Sequence, residues 1–276
     1  MNLVLHWSDL APAAAEIFLL AAACTVLLVD LFLDDRRRWI THFLTIAALA
    51  GAAAVTSAVA PDGRVVALFG QFVADPMATV LKLFNYAVTA VVLLYSRDYL
   101  ERRGIFRGEY FVLALFAVLG INVIVSAGSL LTMYLGIEIL ALSLYAMVAF
   151  DRDDGVAAEA AMKYFVLGAI ASGTLLYGIS ILYGVTGTFS LAGLADAVGP
   201  SSATHIGLLF GLAFVVVGVA FKFGAVPFHM WLPDVYHGAP TSVTLFVGSA
   251  PKLASFALAI RVLAEGLGGM TGAWQD

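Results

Sequence analysis

The sequence predicts an all-α protein that crosses a membrane about eight times, and three observations carry that prediction. First, of its 276 residues 62% are apolar and only 12% are charged, with a mean hydropathy of +0.98. Soluble domains run at about 25% charged, so this chain has roughly half the charge needed to cover a water-facing surface, which excludes a soluble enzyme. Second, apolar runs of the roughly 20 residues needed to span a bilayer recur along the whole chain. Third, all four lysines fall inside those runs, whereas the ten arginines fall between them or at their ends. The net charge of −5 carries little, because topology follows the position of basic residues rather than their sum.

The first run covers about 10–33. Its Leu20 to Cys24 stretch resembles a lipoprotein cleavage site, but no lysine or arginine precedes Arg36. Without the basic n-region of a signal peptide, the run reads as a retained helix. Cys24 is the single cysteine, which excludes an internal disulfide and a cysteine-built zinc or iron–sulfur site on this chain. Glu16 and Asp30, near the ends of the run, are expected at the interface. The second run covers about 39–60, and the third, about 74–96, carries Lys82 in a position read as structural. The fourth and fifth cover about 109–127 and 129–150, with Glu138 near the middle of the fifth. The sixth, about 159–184, carries Lys163 near its start, roughly 6 Å deep at 1.5 Å per residue. Snorkelling to the surface and a buried role are both open for it. Thr188 to Gly199 reads as a short amphipathic segment outside the bilayer.

The seventh run, about 205–236, is too long for one simple helix and carries Lys222, Gly224, Pro227 and Pro233 in its second half. Proline removes a backbone donor and clashes with the preceding turn, so a break is expected near Gly224 to Pro227. Unwound backbone at membrane depth is tolerated only where it packs in protein or lines a wet cavity. The eighth run, about 241–264, carries Lys252 directly after Pro251, where the proline is expected to open the helix. Gly207 and Gly211 have the spacing of close helix packing. Eight arginines (Arg36, Arg37, Arg38, Arg97, Arg102, Arg103, Arg107, Arg152) follow odd-numbered runs, against Arg64 and Arg261 on the other side. That bias places the N-terminus outside.

The sorting of the charges is the functional signal. A charge at the bilayer centre costs about 2.5–3.5 kcal/mol on insertion scales. Deprotonating a lysine at pH 7 costs roughly 4.6 kcal/mol, and an arginine about 7.5 or more. The two lysine costs are similar, so a modest change in a neighbouring charge tips a buried lysine between its forms, and arginine is not tipped that way. A machine that moves protons through a membrane therefore keeps Lys and Glu inside and Arg outside. Glu138, Lys222 and Lys252 are the leading candidates; a structural ion pair that locks two helices is the alternative for Glu138. Lys222, at the end of the first half of the broken run, meets the negative end of a helix dipole. Broken helices with ionisable groups at the midplane recur in transporters. His229 and His237 flank the second half and titrate near neutral pH, with a packed or interfacial role equally open. Phe221, Phe223, Phe228, Trp231 and Tyr236 read as packing or an interfacial belt. The phosphate-cradling, zinc-helix and dinucleotide motifs are missing, so no cofactor, metal or nucleotide is expected on this chain, and no nucleic acid partner.

The string Phe221-Lys222-Phe223-Gly224-Ala225-Val226-Pro227-Phe228-His229-Met230-Trp231-Leu232-Pro233-Asp234-Val235-Tyr236, continued through Gly238-Ala239-Pro240-Thr241 and Ala250-Pro251-Lys252, resembles the core signature of the antiporter-like membrane subunits of respiratory complex I, in its subunit N branch. Gly136-Ile137-Glu138-Ile139-Leu140 and Ala161-Met162-Lys163-Tyr164-Phe165 resemble that branch as well. The resemblance implies an ion pair between Glu138 and Lys222, a central proton carrier at Lys252 and an intermediate site at Lys163. It also implies two inverted five-helix repeats after three leading helices. On that pattern residues 1–108 hold three transmembrane helices, 109–276 hold the first repeat, helices four to eight, and the second repeat lies beyond this sequence. NADH, flavin, iron–sulfur clusters and quinone are implied on other subunits, with other membrane-arm subunits and the lipid bilayer as partners and a bacterial inner membrane as the location. A subunit of a multisubunit cation/proton antiporter or hydrogenase-type complex, and a purely structural membrane-arm subunit, are the alternatives.

Overall fold

The structure is a computed structural model describing residues 7–199 and 205–274. Among the described residues eight helices are long and apolar enough to cross a membrane: Ala11–Asp30, Trp39–Ala58, Pro76–Arg102, Gly108–Val125, Leu130–Val148, Gly155–Thr186, Ile206–Phe223 and Thr241–Gly266, here the first to eighth spans. The fold is an all-α polytopic membrane protein. Local chemistry sets the ends. Asp75 accepts from the Ala78 amide at 2.8 Å and Pro76 opens the third span. Ser129 caps the fifth through the Thr132 amide, and Asp154 caps the sixth through Val156. These side chains satisfy backbone donors that a helix start leaves without intrahelical partners.

The fourth span is the central post. Fourteen of its eighteen residues are buried, so it has no polar face and reads as hydrophobic all round. It packs against the first, second, third, fifth and eighth spans. Its crossing with the fifth is backbone to backbone: a Cβ added at Gly120 would lie 2.6 Å from the Leu140 nitrogen and 2.9 Å from the Gly136 carbonyl oxygen. The sixth and seventh spans cross similarly at Gly178 and Gly211, where the Gly207–Gly211 spacing pointed.

Between the second and third spans lies an antiparallel pair of short strands, β1 (Val65–Ala67) and β2 (Phe72–Ala74), with Val66 opposite Val73. Phe72 also bridges to Ala127, and the Gln71 side chain meets both Ser129 and Thr132. The hairpin is thereby stitched to the turn joining the fourth and fifth spans. The helix Leu191–Ala197 occupies the expected amphipathic segment.

Two expectations about charge are corrected. Glu16 is buried rather than interfacial, because Lys82 meets it at 2.5 Å between the first and third spans. Lys82 also lies 5.0 Å from the Phe72 ring centre. Arg261 is not outside either: it is fully buried, 0% exposed, in the last turns of the eighth span. Asp75 and Glu265 each meet its Nη1 at 2.7 Å, and its Nε and Nη2 donate to the Val125 carbonyl at 3.2 Å. Arg64 closes the cluster on Glu265 at 2.9 Å. Burial pushes the Asp75 carboxyl up, but the Arg261 guanidinium and the Ala78 amide outweigh it and hold the group below its ordinary value. Asp30 is at a helix end as expected, paired with Arg38 at 3.2 Å.

Candidate functional site

The seventh span stops at Phe223, where Gly224 takes a left-handed conformation, φ 72°. The chain restarts as the helix Trp231–Gly238. The break falls where the glycine and prolines predicted it, and the Val226–Pro227 peptide within it is cis. A helix ending in this way leaves its last carbonyls without intrahelical donors. Three side chains bind them: the Trp231 indole N–H donates to the Phe221 carbonyl at 3.1 Å, the Ser255 hydroxyl to that of Lys222 at 3.3 Å, and the Lys252 ammonium to that of Phe223 at 3.0 Å.

The eighth span is interrupted too, between Thr241–Val247 and Ala250–Ala259. Its break lies just ahead of Pro251, which occupies the first turn of the restarted helix, where a missing N–H costs nothing. Lys252 therefore sits one residue further into a helix start, aimed across at the frayed end of the seventh span. Its Nζ lies 5.4 Å from the Trp231 ring centre, and Trp231 stacks on Tyr164 at 4.7 Å.

Lys222 and Lys252 line one cavity of about 30 Å³, walled by Leu140, Tyr164, Trp231 and Ser255. A water needs on the order of 10–15 Å³ of such space, so one or two fit between the lysines. A second void of about 10 Å³ lies beside Lys222, against Ile137 and Leu140. Glu138 is adjacent in sequence to Ile137, yet its Oε1 is taken by the Ser172 hydroxyl, which lies 3.2 Å from that of Tyr134. Among the described residues no ion pair within 4.0 Å joins Glu138 to Lys222. The direct pair that the resemblance implies is thus absent from this structure.

The remaining candidates lie apart. The sixth span starts at Gly155 rather than near 159, so Lys163 is about 12 Å along it. Its side chain is nonetheless 43% exposed on the outside of the bundle, paired with Glu159 at 2.9 Å and Asp234 at 3.1 Å. His237 is exposed, and neither it nor His229 lines the lysine cavity; the Nδ1 of His229 is buried without a hydrogen-bond partner among the described residues. Trp231, Ser255, Ser172 and Tyr134 were not singled out by the sequence as polar partners of the site. Ser255 was within reach, three residues after Lys252 and so on the same helix face. Nothing local signals Ser172, 34 residues from Glu138. Among the described residues no group of three or more His, Cys, Asp or Glu side chains is placed to hold a metal ion.

Comparison with known proteins bears on this geometry. The family described as NADH:quinone oxidoreductase/Mrp antiporter, TM, matches residues 127–275. NADH-quinone oxidoreductase subunit N of Thiobacillus denitrificans is 55% identical over the whole chain, which covers 57% of that relative. The Nitrosomonas europaea protein of the same name is 52% identical over 97% of the chain and 56% of its own length. The chain thus spans a little over half the length of these relatives. Among solved structures, a chain of respiratory complex I from Thermus thermophilus superposes with a TM-score of 0.75 at 32% identity, covering 90% of this chain and 52% of that one. A chain of the Mrp complex from Dietzia sp. shares the fold, with a TM-score of 0.78 at 23% identity over 97% of this chain and 50% of that one.

Proposed function

The chain belongs to the NADH:quinone oxidoreductase/Mrp antiporter transmembrane family, and we propose that it is the proton-translocating part of a membrane-arm subunit of a bacterial NADH:quinone oxidoreductase. The observation that carries the proposal is the shared cavity: two lysines, no carboxylate among the described residues in contact with either, and room for water between them. The names of the relatives support the assignment to the oxidoreductase.

In this reading the field of Glu138 favours the protonated form of Lys222. When a conformational change elsewhere weakens that field, the Lys222 proton passes through the cavity toward Lys252. The Phe223 carbonyl at the frayed, negative end of the helix stabilises the cation there. Lys163, with Asp234 and Glu159, serves as a peripheral exchange site, and His229 and His237 as secondary relays. Residues 109–276 form the translocating repeat and 1–108 a flanking three-helix unit. Redox chemistry with NADH, flavin, iron–sulfur clusters and quinone belongs to other subunits of the complex. The N-terminus is periplasmic, an assignment that the burial of Arg261 strengthens, since only Arg64 remains on that face against eight arginines opposite.

The test is the proton-to-electron ratio of complexes carrying Lys252→Ala or Glu138→Ala in the full-length subunit. Normal assembly with a ratio lowered several-fold is expected, and a wild-type ratio in both would refute the proposal. The family description also takes in antiporters; transport that depends on sodium and proceeds without NADH oxidation would favour that reading.

A further inference from the structure

The arginine-rich face carries a cleft of about 480 Å³ at the ends of the second and third spans and the start of the fourth. Arg36, Arg97 and Arg107 line it together with Trp39, Phe106 and Glu101. Two arginines near it are neutralised: Arg38 meets Asp30 at 3.2 Å and Arg103 meets Asp151 at 3.0 Å. Within the cleft Arg97 has a carboxylate, Glu101 at 3.0 Å. Among the described residues Arg36 and Arg107 form no ion pair. Two uncompensated guanidinium groups therefore converge on one concavity.

Exposed apolar side chains follow the arginines along both spans. Trp39 is 54% and Phe43 63% exposed, one turn apart on the second span, and Leu94 is 56% exposed one turn inward from Arg97. The cleft thus presents cationic heads above a greasy ramp, at the level where a helix leaves the membrane. Guanidinium groups bind phosphate oxygens bidentately, and basic pockets between transmembrane helices suit anionic headgroups. We propose that this cleft binds an anionic phospholipid, with its phosphate between Arg36 and Arg107 and its acyl chains along Trp39, Phe43 and Leu94. The match is to an amphiphile rather than to free phosphate, because exposed Phe43 and Leu94 stand one turn along the same helices from the cleft residues Trp39 and Arg97.

The test uses the purified complex containing the full-length protein, stripped of lipid in detergent and incubated with photoactivatable phosphatidylglycerol or phosphatidylcholine. Adducts are mapped by peptide mass spectrometry. Phosphatidylglycerol is expected to label residues 36–43 and 94–107 at least about fivefold more than phosphatidylcholine. That labelling should fall at least about fivefold in Arg36→Gln/Arg107→Gln, while Arg152→Gln, which alters an exposed arginine of the same face, leaves it unchanged. Arg36→Gln alone, in the stretch between spans, gives a partial loss and serves if the double variant does not assemble. Equal labelling by the two lipids, labelling insensitive to the cleft arginines, an equal loss in Arg152→Gln, or displacement by inorganic phosphate as effective as by lipid would each overturn the proposal.

Discussion

Arg261 and Lys252 lie on the same span, both drawn into the protein, and they are held in opposite ways. Arg261 is 0% exposed and clamped by two carboxylates at 2.7 Å plus a carbonyl. Lys252 meets a carbonyl, an aromatic face and a water-sized cavity, with no carboxylate among the described residues in contact. The Glu16–Lys82 pair belongs with Arg261: a buried cation fixed by direct contact with an anion. A directly paired cation does not release its proton without stranding its partner in an apolar surround. A cation held by neutral dipoles, with water beside it, can change its charge at lower cost. The difference separates the residues that lock the bundle from those proposed above to carry protons, although hydropathy alone ranks them alike.

That contrast can be broken at several points. Arg261→Met strands Asp75, while Glu265 keeps Arg64, and is expected to destabilise the protein by about 3–5 kcal/mol, read as lost assembly or a lowered midpoint of thermal unfolding. Lys82→Met alone leaves Glu16 buried and unpaired and should cost about as much or slightly less, since Arg261→Met also removes the donors to the Val125 carbonyl. The double variant Glu16→Gln/Lys82→Met should regain most of that loss and leave the proton-to-electron ratio unchanged; an altered ratio in a stable double variant would place this pair with the proton carriers. Ser255→Ala removes one of the three donors at the frayed helix end and should cost on the order of 1 kcal/mol, seen as a small fall in unfolding midpoint with a measurable drop in pumping rate.

The smallest effect concerns pH. The Asp75 carboxyl is held below its ordinary value of about 3.9. Its contribution is therefore complete above that pH and is lost as the pH falls through the lower folded value. Unfolding midpoints measured from pH 7 down to pH 3 should drop at the acid end, and Asp75→Asn should lower the neutral midpoint and flatten that part of the curve.

How far the molecule was legible depended on whether the signal was local. The spans were readable because each is a run of apolar residues with a break at either end, and the broken seventh because Gly224 and Pro227 lie where they act. Lys222 and Lys252 stood out because a lysine inside such a run is costly. The Glu16–Lys82 pair was not readable, since its members are on different spans and each alone looks like an interfacial or packing residue. Arg261 looked like a span end because hydropathy does not register that Asp75, reached through the hairpin, folds back onto it. The hairpin was missed for a related reason: three-residue strands leave no periodicity to detect, and its pairing with Ala127 is a tertiary event. The contact from Ser172 to Glu138, which replaces the implied direct ion pair, depends on how the fifth and sixth spans pack and has no trace in either segment.

The central claim is that Lys252 acts by changing its charge rather than by holding the seventh and eighth spans together. Lys252→Arg separates the two roles, because arginine keeps the cation and its carbonyl contacts but does not deprotonate at any working pH. Measured in the assembled complex with the full-length subunit, the variant is predicted to retain wild-type assembly and to lower the proton-to-electron ratio as far as Lys252→Ala does. A Lys252→Arg complex that pumps at the wild-type ratio would contradict the account.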